Sequence, residues 1–367
     1  MAEAIVVGGG IMGLLVARGL RASGASVTLL ETGQTGREAS WASAGIIAAR
    51  APWTTTATGA LQNHSASIWP GFAAELADET GMDIEYRQNG CLYPAFSDDA
   101  ARQLERDARD ARAAGFPLEF AAGSALRAEE PALGPAIVAA AMGPGGNVEN
   151  RRVVQALTIA AGLAGVTIQT GTSVTEISST AGRVTGARTS SGRGYAADIV
   201  IIAAGAWSSQ IKGLGLDIPV RPQRGQILAV AQPHPAPRRV ILKDDDPYVV
   251  PRVDGRMIVG ATREFAGFDR ARTAGGIAWL LSAAIEMVPG MAGSELLDIW
   301  TGFRPISGDG TPIIGPGTLE GLFFCTGHGP SGISPAPASA EIVVAMVESR
   351  QPPIRAEAFD PRRFASR

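Results

Sequence analysis

Residues 4–13 read Ala4-Ile5-Val6-Val7-Gly8-Gly9-Gly10-Ile11-Met12-Gly13, a short apolar run that ends in glycines. The apolar run predicts a buried strand, and the stretch from Ile11 to about Ser23 predicts a helix. Residues 26–31 (SVTLLE) predict a second buried strand. Strand, helix and strand in that order form a βαβ unit. Both strands are nearly continuous apolar runs, as a parallel sheet covered on both faces requires.

The glycines between the first strand and the helix follow the spacing G-x-G-x-x-G. Gly8 permits a tight turn, Gly10 lets backbone approach a pyrophosphate, and Gly13 lets the helix lie close on the sheet. The helix N-terminus, with Ile11 and Met12 at its start, offers unpaired N–H groups to phosphate oxygens. Glu31 ends the second strand, where an acid accepts from ribose hydroxyls and disfavours a 2′-phosphate. Together these features predict a dinucleotide site. They do not choose between FAD and NAD.

Working outward, residues 40–59 are rich in Ala, Ser, Thr and Gly and predict a loop with a short helix near a ligand. Helices are expected over 61–80, 98–115, 151–164 and 273–288, and from Ala336 to Glu348. Residues 116–149, with many Pro and Gly, read as a crossing between domains. Residues 166–169 predict a strand, and 174–191 predict a β-meander. Residues 195–207 (YAADIVIIAAGAW) predict a strong buried strand running into Gly205, and 321–325 (GLFFC) predict the last strand. Residues 220–262 read as hairpins, with Asp254-Gly255 a turn between two apolar runs. The fold class expected is α/β. A Rossmann-like nucleotide domain is assembled from 1–75, 150–219 and 300–367. An α+β substrate domain with a mainly antiparallel sheet comes from 76–149 and 220–299.

Composition narrows the function classes. The chain has 367 residues, 46% hydrophobic and 18% charged, and a net charge of −3. That balance gives no electrostatic footprint for nucleic acid or an anionic membrane. No apolar run is long enough for a transmembrane segment, and the opening shows no basic leader region or cleavage site. A cytoplasmic placement is the simplest expectation. Two distant cysteines, Cys91 and Cys325, and three histidines form no disulfide framework and no metal-ligand spacing, so no metal is expected.

With the fingerprint, the small-residue loop GREASWASAGII (36–47) resembles the D-amino acid oxidase superfamily of flavoproteins, and within it the glycine oxidase branch. That branch supplies the imine for thiazole formation in thiamine biosynthesis. Further matching stretches are DIVIIAAGAWS (198–208), RGQIL (224–228), YVVPRVDGRMIVGAT (248–262) and WTGFRPISGDGTPIIG (300–315). The frame Gly327-His328, Gly332-Ile333 and Ala336 to Ser339 completes the set.

The resemblance implies FAD as the cofactor. Ile11 and Met12 then lie over the pyrophosphate, and Glu31 and Thr32 meet the adenosine ribose. Ala39, Ser40, Ala44, Gly45 and Ile46 line the flavin, with Gly205 also at the cofactor. Val174 gives backbone contacts to the adenine. The loop His328, Gly329, Pro330, Ser331, Gly332, Ile333 and Ser334 wraps the isoalloxazine. Arg304 matches the arginine that clamps the substrate carboxylate, and Tyr248 an active-site tyrosine. A planar guanidinium forks onto a carboxylate with two charge-assisted bonds and so holds the α-carbon for hydride loss. The glycine-rich turn before the last helix aims a positive dipole end at the flavin.

The sequence also departs from that branch. Its members carry a second arginine in the final loop, and here Pro330 stands in its place. Arg263 follows GAT where relatives tend to have an apolar residue. It is read either as added positive charge at the substrate site or as a solvated partner of Glu264 or Asp269. No cysteine lies near GFRP (302–305), so noncovalent FAD is expected. His328 is read as a flavin-packing residue rather than a general base. The activity implied is oxidative deamination of glycine, a small D-amino acid or an N-methyl amino acid, with oxygen reduced to peroxide. The alternative is a D-amino acid or secondary-amine dehydrogenase, as a subunit or alone, that uses another electron acceptor. A homo-oligomer is compatible with the sequence.

Overall fold

The computed structural model describes residues 2–48, 56–243 and 247–365. Residues 49–55, part of the small-residue loop expected near a ligand, lie outside the described residues.

The strand Glu3–Val7 sits inside a six-stranded sheet, between Ser26–Leu30 and Ile199–Ile202, and pairs with both in parallel. Thr167–Gln169 extends one side, and Leu322–Thr326 followed by antiparallel Ile313–Pro316 extends the other. Alternate side chains of a strand point to opposite faces. Ala4 and Val6 enter one core, with helices Ile11–Ala22, Asn150–Leu163 and Ala336–Val347 and with Trp69 and Leu76 of helix Ala57–Thr80. Ile5 and Val7 enter another, beneath the three-stranded meander Val174–Thr180, Arg183–Thr189 and Gly194–Ala196. Both faces are covered, which is why the first strand is apolar at successive positions.

The second sheet has eight strands. The long strands Leu296–Ser307 and Val220–Ala231 lead, followed by Arg256–Gly260, Tyr248–Pro251, Val240–Leu242, Cys91–Ala95, Ala139–Gly143 and Glu119–Ala122. All neighbours are antiparallel except Val240–Leu242 with Cys91–Ala95. Leu228, Val230, Met257 and Val259 face the helix Ala274–Met287. Ile227, Ala229 and Ile258 face the other way, toward Ala42 and Ala44 of the small-residue loop. Asp254 and Gly255 form the turn between two of the strands, with Gly255 at φ +83°.

The segment 116–149 corrects the sequence reading. It is not a mere crossing: it supplies two strands at one edge of the large sheet and the strand Gly145–Asn147, which pairs with Ile46–Ala48. Ala139, Ala140 and Ala141 are fully buried. Alanine carries little strand propensity, so tertiary burial rather than local signal sets this edge.

Candidate active site

The turn after the first strand is tight because two glycines leave no room for side chains. Gly8 has φ +106°, and a Cβ there would run into the Ala203 carbonyl. A Cβ on Gly13 would strike the Gly8 carbonyl. The Gly8 N–H donates to Leu30 O at 2.8 Å, tying the turn to the neighbouring strand. The Glu31 carboxylate accepts from the Gly9 N–H and the Gly33 N–H, each at 2.7 Å. An ionised carboxylate has about four acceptor sites, so these bonds fix its orientation and leave lone pairs for hydroxyls.

The nominated residues border one cavity of about 860 Å³, with Gly13 the exception. Gly13, grouped with the cofactor residues through the fingerprint, lies outside the cavity lining, where the close approach of helix to strand needs it. Glu31, Thr32 and Val174 line one region of the cavity, Arg304 and Tyr248 another, and the loop His328–Ser334 also lines it.

The small-residue loop is held from behind. Ser40 Oγ accepts from the Ile11 N–H at 3.0 Å, and the Ser40 and Trp41 carbonyls accept from Asn150 Nδ2 at 2.8 Å each. Trp300 Nε1 donates to Ala42 O at 2.9 Å, and Arg252 Nη2 donates to Ala44 O at 3.0 Å. Gly45, at φ +60°, passes so close to Val148 O that a Cβ would overlap it. These partners take the loop carbonyls, and the small residues Ala39, Ala44 and Gly45 border the cavity. Asn150, Arg252 and Trp300 escaped sequence reasoning. The one signal for Arg252 was a charged residue closing the apolar run Tyr248–Pro251.

His328 is buried, and its Nε2 lies 3.0 Å from Ser339 Oγ. That hydroxyl donates to Pro335 O at 2.8 Å, so it accepts from His328, and the imidazole carries its proton on Nε2. Burial lowers the His328 pKa to about 3, so the ring is neutral in use. Burial also pushes the Cys325 thiol up to about 12, which makes it a poor nucleophile. The Ser334 carbonyl accepts from Ser65 Oγ at 2.6 Å and Trp69 Nε1 at 2.8 Å. Helix Ala57–Thr80 thereby anchors the loop. Pro330 borders the cavity in a single 3-10 turn, Gly329–Ser331.

Arg304 projects from the strand Leu296–Ser307, and its Nη1 donates to Thr262 O at 2.7 Å. Its guanidinium lies over Gly225 of the adjoining strand. A Cβ on Gly225 would sit 2.8 to 3.1 Å from the guanidinium atoms. Tyr248 is paired across the sheet with Gly260, where a Cβ would overlap the tyrosine hydroxyl. Each cavity-lining side chain thus uses the space left by a glycine on the neighbouring strand, a role that sequence reasoning assigned to neither glycine. Arg263 borders the same cavity. The acids offered as its partners, Glu264 and Asp269, both pair with Arg224.

Among the described residues, no group of three or more His, Cys, Asp and Glu could hold a metal ion. Among them too, no helix is long and apolar enough to cross a membrane.

A glycine-cradled dinucleotide cleft that opens onto a large antiparallel sheet is the frame of a flavin-dependent oxidoreductase. The chain matches the model of the FAD dependent oxidoreductase family over residues 3–346 and belongs to that family. It is an enzyme, and FAD is its cofactor. It is 37% identical to the glycine oxidase of Pseudomonas putida, over 98% of each chain. It is 36% identical to the glycine oxidase of Pseudomonas aeruginosa, over 97% of this chain and 98% of that one. The solved structure of glycine oxidase from Geobacillus kaustophilus superposes with a TM-score of 0.93 at 30% identity and covers all of both chains.

Proposed function

We propose that this enzyme oxidises glycine and other small amino acids or N-methyl amino acids at the amine, with oxygen as electron acceptor. The amine becomes an imine and oxygen becomes hydrogen peroxide. Water then splits the imine to an oxo acid and ammonia or a primary amine. The observation that carries the reading is Arg304, a guanidinium bedded on Gly225 and oriented by the Thr262 carbonyl beside the cofactor cavity. Near-full-length similarity to glycine oxidases supports it.

FAD, held noncovalently, supplies the two-electron acceptor. The first glycine turn and the N-terminus of helix Ile11–Ala22 receive its pyrophosphate, Glu31 and Thr32 its ribose, and Val174 its adenine. Ala39, Ser40, Ala44, Gly45, Ile46, Gly205 and the loop His328–Ser334 border its flavin. The discontinuous segments 1–75, 150–219 and 300–367 act as the cofactor domain, and 76–149 with 220–299 as the substrate domain. Arg304 binds the substrate carboxylate through two charge-assisted bonds. Tyr248 borders the substrate space, and Arg263 adds positive charge to it. Burial holds the His328 pKa at about 3, too weak a base to take a proton from the amine, and the ring serves instead as packing beside the cofactor. Fixing the α-carbon in this way contributes several kcal/mol to the barrier reduction, on the order seen for positioned reactants.

The test is an anaerobic panel of glycine, N-methylglycine and D-alanine added to the holoenzyme. Glycine is expected to bleach the oxidised-flavin absorbance, and air is expected to restore it with peroxide formed. Bleaching without reoxidation by air would assign another acceptor. Flavin left oxidised by all three amines would end the proposal.

A further inference from the structure

The carbonyl that orients Arg304 belongs to Thr262, and Thr262 is itself held by a buried polar network. Its N–H donates to Gln226 O at 3.2 Å, and its Oγ1 accepts from the Gln226 N–H at 2.9 Å. The same hydroxyl donates to Glu264 Oε1 at 2.6 Å. Gln226 Nε2, on a fully buried side chain, donates to that oxygen as well, at 2.7 Å. The other carboxylate oxygen takes the Arg224 guanidinium, which also reaches Asp269 at 2.5 Å. Burial pushes the Glu264 carboxyl up, but the bonds from Arg224, Thr262 and Gln226 outweigh it and hold the group below its ordinary value.

The backbone repeats the arrangement. Arg224 N donates to Glu264 O at 2.8 Å, and Glu264 N donates back to Arg224 O at 3.0 Å. Gly225, which bears the Arg304 guanidinium, sits between Arg224 and Gln226. Both surfaces that fix Arg304, the glycine beneath it and the carbonyl beside it, are therefore set by one strand pair locked by one carboxylate.

We infer that Glu264 and Arg224 are positioning residues for Arg304: their ion pair, with Arg224 buried and Glu264 half-buried, holds the Thr262 carbonyl and Gly225 so that the guanidinium stays turned toward the cavity. Neither is a catalytic residue. The inference rests on the proposed role of Arg304 in binding the substrate carboxylate. A carbonyl that moved by a fraction of an ångström would let the guanidinium rotate, and the substrate carboxylate would lose one of its two bonds.

The test is a double-mutant cycle on the FAD-loaded enzyme, with KM and kcat measured for glycine. Glu264→Gln is expected to raise KM about tenfold while kcat changes less than about threefold. In an Arg304→Ala background the same change is expected to add nothing. Thr262→Val, which deletes only the linking hydroxyl, gives the same pattern at roughly threefold. A merely structural role lowers activity equally in both backgrounds, and that result, or an unchanged KM in Glu264→Gln and Thr262→Val, overturns the inference. An unchanged KM in Arg304→Ala alone is a different failure, since it removes the carboxylate clamp itself.

Discussion

On the proposed assignment, the two sheets handle ligand recognition differently. In the six-stranded sheet the cofactor turn is made of backbone, missing side chains and one carboxylate, and its parts are close in sequence: Gly9 and Glu31, which bond directly, are 22 residues apart. In the eight-stranded sheet recognition falls to side chains brought from distant strands. Arg304 and Thr262 are 42 residues apart, and Arg252 reaches Ala44 across 208. A local motif can be read as a unit, because its physical reason lies within it. A constellation built by strand pairing has no such reason until the register is known.

The comparison can be broken at either end. The largest effect is expected at Gly13→Ala, because the new Cβ strikes the Gly8 carbonyl and no flexible side chain can give way. Overpacking of this kind costs about 3 kcal/mol or more. The protein is expected to emerge without FAD, read as a lost 450 nm band relative to 280 nm absorbance. Full FAD occupancy would mean the turn tolerates opening.

Gly225→Ala is the matching change on the other sheet, and it should separate the two functions. FAD content is expected to stay stoichiometric while glycine KM rises roughly tenfold, as the methyl group displaces the guanidinium. Lost FAD with unchanged KM would invert the assignment.

A smaller effect concerns acid. His328 has its folded pKa lowered from 6.5 to about 3. Below pH 6.5 the unfolded chain takes up a proton that the native site refuses. Its contribution to stability is therefore complete above pH 6.5 and declines as pH falls toward about 3. His328→Gln removes that titration. Urea melts between pH 7 and 4.5 are expected to show a shallower acid loss for the variant, by about 1.4 kcal/mol per pH unit at most. Parallel curves would mean that His328 titrates in the native protein.

This difference also explains what the sequence could reveal. The βαβ start was legible because Ala4 to Val7 and Val27 to Leu30 must be apolar on both faces. The hairpin at Asp254-Gly255 was legible from turn chemistry. The alanine strand Ala139–Gly143 was not, since only its burial against neighbouring strands makes it a strand. Arg304 was nominated by resemblance and Pro330 by the arginine it replaces, and both line the cavity. Gly225, Asn150, Arg252 and the Glu264–Arg224 pair were not found, because each acts through a partner that only the folded chain supplies.

As proposed, the glycine turn with Glu31 holds the cofactor while Arg304 holds the substrate. Arg304→Ala, purified and titrated with glycine under anaerobic conditions, tests both halves at once. A yellow protein with full FAD is expected, whose half-reduction by glycine needs about a hundredfold more substrate. A colourless protein, or reduction at the wild-type glycine concentration, would contradict it.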